Sequence, residues 1–347
     1  MYIIIAILIF GILIAIHEFG HFMTAKLCGV RVLEFSIGMG PALLKKQGKE
    51  TLYSLRLLPI GGYCAMEGED SDSDDPRAFT NQNRLKKILI LVAGAGMNFL
   101  LGLVLIIVVF SCASVQIPEI TGFMDGCPYQ GETALQQGDV FWKIDGHRIY
   151  TTSDVSVYLN SGDATHDIVV KRDGKQVLLS DMTLETRQYE GEKNPLYGFQ
   201  FEKMAKGPVQ TLQYAWYQSL YFVRAVWSSL AELISGTYGV KDLSGVVGIV
   251  GLMNDVGKES GSIYNAFLNL AYLSAFIAIN LAVMNLLPIP ALDGGRIFFL
   301  LLFWPIEKLM GHKVDPKYEG YVNSAFLALL MVLMVYVMFN DVVRIVG

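Results

Sequence analysis

The sequence predicts a polytopic α-helical membrane protein with about four transmembrane helices, a re-entrant β-hairpin after the first, and an inserted extracytoplasmic α+β domain. Three observations carry that expectation. Hydrophobic residues make up 53% of the chain and charged residues only 17%, against roughly 45–50% and about 25% in soluble domains. Apolar runs close to the roughly 20 residues needed to cross a bilayer occur at 2–25, 88–111, 266–287 and 324–343. Between the second and third, residues 114–203 have the polar mix and short turns of a soluble domain. The net charge of -5 is mild and no block of like charge occurs, which excludes a nucleic-acid-binding surface from the expected functions.

The first run starts at Met1 with no basic stretch before it and no small-x-small site after it, so it reads as a retained helix rather than a cleaved signal. Residues 30–66 follow as a hairpin. Arg31, Leu33, Phe35 and Ile37 alternate with Val32, Glu34 and Ser36, Lys46-Gln47-Gly48-Lys49 supplies a turn, and Thr51 to Leu58 returns before Pro59 and Gly61-Gly62. The pattern suits either a sheet dipping into the membrane or a small peripheral one. Gly68 to Pro76, rich in Asp and Ser, is a solvated connector.

In the inserted domain, Gly138 to Gly146 reads as turn, strand and turn, and Asp154 to Asn160 as a short helix. Ile168–Arg172 and Gln176–Leu179 form a hairpin about Asp173-Gly174, a type I′ signature. Residues 204–262 read as an amphipathic, interfacial segment: Trp216, Tyr217, Tyr221, Phe222 and Trp227 accompany Arg224 and Glu232. The membrane part thus divides into halves at 1–112 and 263–347, with the third span stopped by Pro288 and Pro290. Cys28, Cys64, Cys112 and Cys127 have no C-x-x-C spacing; a Cys112–Cys127 disulfide outside the cell is left open.

Lys26, Arg31, Lys45, Lys46, Lys49 and Arg56 follow the first span, Arg84, Lys86 and Lys87 precede the second, and Arg296, Lys308, Lys313 and Lys317 separate the last two. By the positive-inside rule both connections are cytoplasmic, which puts the termini and the inserted domain outside.

The chemistry is concentrated in His17-Glu18-Phe19-Gly20-His21. Residues four apart share a helix face, so both imidazoles can hold one Zn2+ ion while Glu18 stands beside it as general base. Three ionisable residues in an apolar span each cost about 2.5–3.5 kcal/mol near its centre if charged and unpaired, a cost that a bound divalent metal offsets. Catalytic zinc takes three protein ligands and a water. His147 and His166 belong to the inserted domain and His312 to a solvated cytoplasmic loop, which leaves Asp293, in Pro288-Ile289-Pro290-Ala291-Leu292-Asp293-Gly294-Gly295. An exposed turn aspartate is the plainer alternative for it.

Over nearly its whole length the chain resembles the site-2 proteases, in the bacterial branch that carries one PDZ domain. The resemblance rests on His17–His21, on Asn285-Leu286-Leu287-Pro288 through Gly295, on Arg56-Leu57-Leu58-Pro59-Ile60-Gly61-Gly62-Tyr63, and on Gly94-Ala95-Gly96-Met97-Asn98. It implies zinc bound by His17, His21 and Asp293, catalysis by Glu18, and substrate-backbone contacts from Asn285 and Asn280, with helix–helix packing as the other reading of the asparagines. Ala134-Leu135-Gln136-Gln137-Gly138-Asp139 and Ile144-Asp145-Gly146 resemble a circularly permuted PDZ domain. No clear G-L-G-F-type carboxylate loop is found, and Val246-Val247-Gly248 replaces the family's Gly-Pro-Val-type stretch.

The resemblance implies an intramembrane zinc metalloprotease of the bacterial plasma membrane. Its partners would be the lipid bilayer and single-span substrates, such as anti-sigma factors or signal-peptide remnants, trimmed beforehand outside the cell. The zinc would lie toward the cytoplasmic side. A catalytically inactive PDZ scaffold would not need Glu18. A metal-ion transporter would more often show repeated spans, and none is seen.

Overall fold

The computed structural model describes residues 1–69, 73–132, 134–160, 164–192, 194–205, 207–237, 239, 241, 243–310 and 316–346. Its elements begin with α1 (Tyr2–Leu27), β1 (Val32–Gln47), β2 (Leu52–Met66) and α2 (Arg84–Cys112). Next come β3 (Gln116–Phe123), β4 (Val140–Ile144), β5 (His147–Arg148), α3 (Thr152–Leu159), β6 (Thr165–Arg172), β7 (Lys175–Thr183) and β8 (Phe199–Lys203). The chain ends with α4 (Pro208–Ser235), α5 (Val246–Glu259), α6 (Ile263–Asn285), α7 (Asp293–Met310) and α8 (Pro316–Val346). It divides into two units, Met1–Leu105 with Ala225–Gly347, and Ile106–Arg224. His312 and residues 70–72 of the connector lie outside the described residues.

Among the described residues, four helices are long and apolar enough to span a membrane: α1, α2, α6 and the 320–344 part of α8. Helix α1 runs two residues past the expected end and stops where Gly29 takes φ +79°, a conformation open to glycine. Small residues set the close crossings of this unit. A Cβ on Gly20 would lie 2.4 Å from the Ala93 carbonyl oxygen of α2, and one on Gly102 would lie 3.0 Å from the Ala275 oxygen of α6.

Strands β1 and β2 form a two-stranded antiparallel sheet, paired from Val32↔Met66 to Gln47↔Leu52 with several register shifts. The sheet lies along α1. A Cβ on Gly11 would meet the Pro59 oxygen at 2.2 Å, and one on Gly62 would stand 3.5 Å from the Glu18 Cγ. Across the sheet, Arg56 donates to Ser36 Oγ and Glu34 Oε1, each at 2.9 Å, and to Tyr63 Oη.

Two helices go beyond the sequence reading. The stretch 204–262 holds not one helix but two, and the second, α5, packs against α1 and α6. Its Gly257 lies against the Tyr2 ring. Asp341 of α8, 2% exposed, caps α5 from outside, accepting from Gly245 N and Gly248 N at 2.9 and 2.8 Å. This gives Val246-Val247-Gly248 a concrete role, because any side chain on Gly248 would run into the Asp341 carboxylate at 2.8 Å. Asp341→Ala leaves both donors without the cap, at about 1–2 kcal/mol. The thermal-unfolding midpoint in detergent should fall by roughly 2–6 °C with helix content unchanged; an unaltered midpoint would show that the cap carries no weight.

Helix α7 occupies what reads in sequence as a loop. Its apolar run, Ile297 to Trp304, is too short to span and is followed by Pro305, which lies inside the helix.

The second unit is an antiparallel sheet in the order β7-β6-β4-β3-β8, with β5 beside β4. Phe141, Ile144, Ile168 and Val170 meet Val155 and Leu159 of α3 in its buried core. Asp173-Gly174 has φ +50° and +77°, the pair of positive values that a type I′ turn requires. Thr151 and Asp154 make a reciprocal capping box at α3. Asp139, fully buried, receives Arg172 Nε and Nη2 at 2.8 Å each. All four cysteines are thiols, and Cys127 Sγ sits 3.6 Å from the Tyr197 carbonyl oxygen.

Candidate metal centre

His17 and His21 stand one turn apart near the C-terminal end of α1. Their Nε2 atoms are 3.1 Å apart, and Asp293 Oδ2 lies 3.2 Å from the first and 3.3 Å from the second. Four zinc bonds of about 2.0–2.1 Å in a tetrahedron put ligand atoms roughly 3.3 Å from each other. The triangle therefore has the size of one face of that tetrahedron.

The protonation pattern agrees. His21 Nδ1 donates to the Ile90 carbonyl oxygen of α2 at 2.8 Å, which leaves its Nε2 lone pair turned to the triangle. Asp293 Oδ2 is buried without a hydrogen bond, an expensive arrangement unless a cation completes it. Among the described residues, His17, His21 and Asp293 are the group that could hold a metal ion.

Each element contributes for a local reason. Gly94 faces the imidazoles, and a Cβ there would stand 2.4 Å from His21 Nε2 and 2.8 Å from His17 Cε1. Gly294 and Gly295 let the start of α7 fold onto the preceding turn, where added Cβ atoms would meet the Leu287 and Ile289 oxygens, each at 2.2 Å. Ala291 takes φ +73° just ahead of Asp293. Glu18 is half-buried beside Gly62 of β2.

Asn285 Nδ2 lies 3.5 Å from His17 Nδ1, and the amide oxygen and nitrogen can be exchanged without moving the side chain's outline. With Nε2 turned to the triangle, Nδ1 carries the proton, and the amide must present its oxygen to accept it. Asn280 is half-buried on α6, and five residues rotate a helix by about 140°, so it does not share the face of Asn285. His166 and His147 belong to the second unit, where His166 Nδ1 pairs with Asp145 and His147 stacks on Tyr158.

The profile of peptidase family M50 matches residues 5–333 of the 347. The chain belongs to that family. A Clostridium acetobutylicum protein named as a candidate zinc metalloprotease is 40% identical over 345 residues, covering 98% of this chain and 97% of its own. A similarly named Clostridium perfringens protein is 35% identical over 349 residues, with 99% of each chain covered. The regulator of sigma-W protease RasP of Bacillus subtilis is 27% identical over 421 residues, with 97% of each covered. Membership of M50 together with the His17, His21 and Asp293 cluster makes this protein a zinc metalloendopeptidase.

Sequence reasoning missed three features of the M50 centre. These are the Ile90 carbonyl that orients His21, the space kept by Gly94, and the helix that carries Asp293. A glycine one turn before Asn98 in an apolar span was the available signal for the second.

Proposed function

We propose that the protein cleaves single-span membrane proteins within the bilayer, with Glu18 as catalytic base and His17, His21 and Asp293 as zinc ligands. The observation that carries this reading is the ligand triangle at the end of a membrane-spanning helix, with Glu18 adjacent. When bound, zinc supplies the Lewis acid that polarises the scissile carbonyl and makes water nucleophilic near neutral pH. Glu18 takes the proton from the attacking water and returns it to the leaving amine. Asn285 holds His17 in its ligating tautomer or binds the substrate backbone; for Asn280, which is on another face of α6, a substrate-backbone contact rests on the family resemblance alone.

A helical substrate must unwind before its carbonyls are accessible, and its freed polar groups need partners in the membrane. The β1–β2 sheet supplies an edge for strand addition. Its contacts with Gly11 and Glu18, both within the first span, support a re-entrant position, as do the exposed Leu43, Leu44, Leu57 and Leu58.

The inserted unit is read as an extracytoplasmic PDZ domain that admits trimmed substrates. Leu196-Tyr197-Gly198-Phe199 supports this and revises the absence of a G-L-G-F-type loop, because Gly198 has φ +86° and the segment leads into the edge strand β8. A cavity of 610 Å³ lies between β8 and Val155 and Ser156 of α3, where an added strand would end. The RasP name supports a sigma-factor pathway and hence an anti-sigma-factor substrate; signal-peptide remnants are the second class. The basic flanks favour a plasma-membrane topology with the termini outside and zinc toward the cytoplasm.

The test uses purified protein in liposomes with a single-span reporter lacking its outer domain. Cleavage should map inside the span, stop after treatment with a zinc chelator, and return with added zinc. Cuts confined to the reporter's soluble flanks would overturn the intramembrane assignment.

A further inference from the structure

The carboxylate of the ligand triangle is the first residue of α7, so its placement depends on that helix's first turn. The contacts of Gly294 and Gly295 set how closely the turn approaches the preceding loop. One turn beyond Asp293, Arg296 Nη1 reaches Glu69 Oε1 at 2.5 Å. The other oxygen, Glu69 Oε2, accepts from the backbone N of Met66 at 3.3 Å, and Met66 ends β2 in register with Val32 of β1. Next to Arg296, Ile297 packs with Leu300 on the buried cluster that contains Val32, Met66 and Phe79. The two charged side chains are 27% and 18% exposed, which sets the pair apart from a solvated surface contact.

We propose that Arg296 is a positioning residue of the metal centre: its ion pair with Glu69 clamps the first turn of α7 to the end of β2 and holds Asp293 in register with His17 and His21. The proposal rests on the reading of those three residues as the zinc ligands. Arg296 lies about 4.5 Å along the helix from Asp293, so a rotation released at one is felt at the other. Metal sites accept ligand displacements of only about ±0.2 Å. The clamp also ties Asp293 to the sheet that passes Glu18 at Gly62, so the ligand and the base share one frame.

The experiment measures zinc affinity of the full chain in detergent by competition with a chromogenic chelator. Arg296→Gln and Glu69→Gln should each weaken zinc by about 10–100-fold, as loss of a ligand's supporting partner does elsewhere. The double variant should be no weaker than the poorer single one, within about twofold, and Arg296→Lys should recover part of the loss. Cleavage should return when zinc is raised to saturation.

Arg84→Gln removes a second ion pair of α7, to Glu307, 14 residues beyond Asp293. It should leave zinc affinity within about twofold of the parent, because it lies several turns away. Parent-like affinity in Arg296→Gln would overturn the clamp, and so would an equal loss in Arg84→Gln, which would mean that any loosening of α7 suffices. Absence of zinc binding by the parent protein would instead overturn the metal-site reading beneath it.

Discussion

Replacing Glu18 by glutamine is expected to lower cleavage of a single-span reporter by about 10²–10⁴-fold, the usual contribution of a positioned general base. Glutamine has the same shape and keeps a hydrogen-bonding head, so α1 and its packing against Gly62 should persist. Glu18 is not part of the triangle formed by His17, His21 and Asp293, so zinc content should remain at one equivalent. What is lost is the capacity to accept a proton, and the effect should fall on kcat rather than KM. Metal analysis of the variant beside its cleavage rate makes the measurement. Near-normal cleavage with zinc still bound would remove Glu18 from the role of base and reopen the question of which group serves.

Gly94→Ala should be as damaging by a different route: zinc lost about tenfold or more, and activity with it. The added methyl would lie 2.4 Å from His21 Nε2, 2.7 Å from its Cε1 and 2.8 Å from His17 Cε1, all inside van der Waals contact. Both imidazoles would have to swing, and His21 would give up its bond to the Ile90 oxygen. The helix itself does not object, because alanine is a better helix former than glycine by about 1 kcal/mol. Gly96 provides the control. It belongs to the same short motif, yet a Cβ there meets nothing within 4 Å, so Gly96→Ala should keep zinc and cleavage. Equal behaviour of the two variants would sink the steric account of Gly94.

How much of this was readable in sequence follows from the range of each interaction. The pairing of His17 with His21 is local, set by helical pitch, and their cost in an apolar span already called for a metal. Asp173-Gly174 announced its turn for the same reason, since two positive φ values need particular residues. Helix α7 escaped notice because its apolar run is short and Pro305 interrupts its pattern. The positive φ of Gly198 and the place of Leu196–Phe199 before an edge strand likewise belong to the folded chain and left no pattern in the sequence.

Sequence alone determined the four apolar spans, the histidine pair of the candidate metal centre and the insertion of a β-rich unit. Lipid imposes length and composition on each span independently of the rest of the fold. Tertiary structure decided what completes the centre. Asp293 reaches His17 across 276 positions of chain, and Arg296 reaches Glu69 across 227. Neither juxtaposition leaves a periodic trace in sequence, because each depends on how three helices and a sheet pack, and glycine marks the close approaches only by what it lacks.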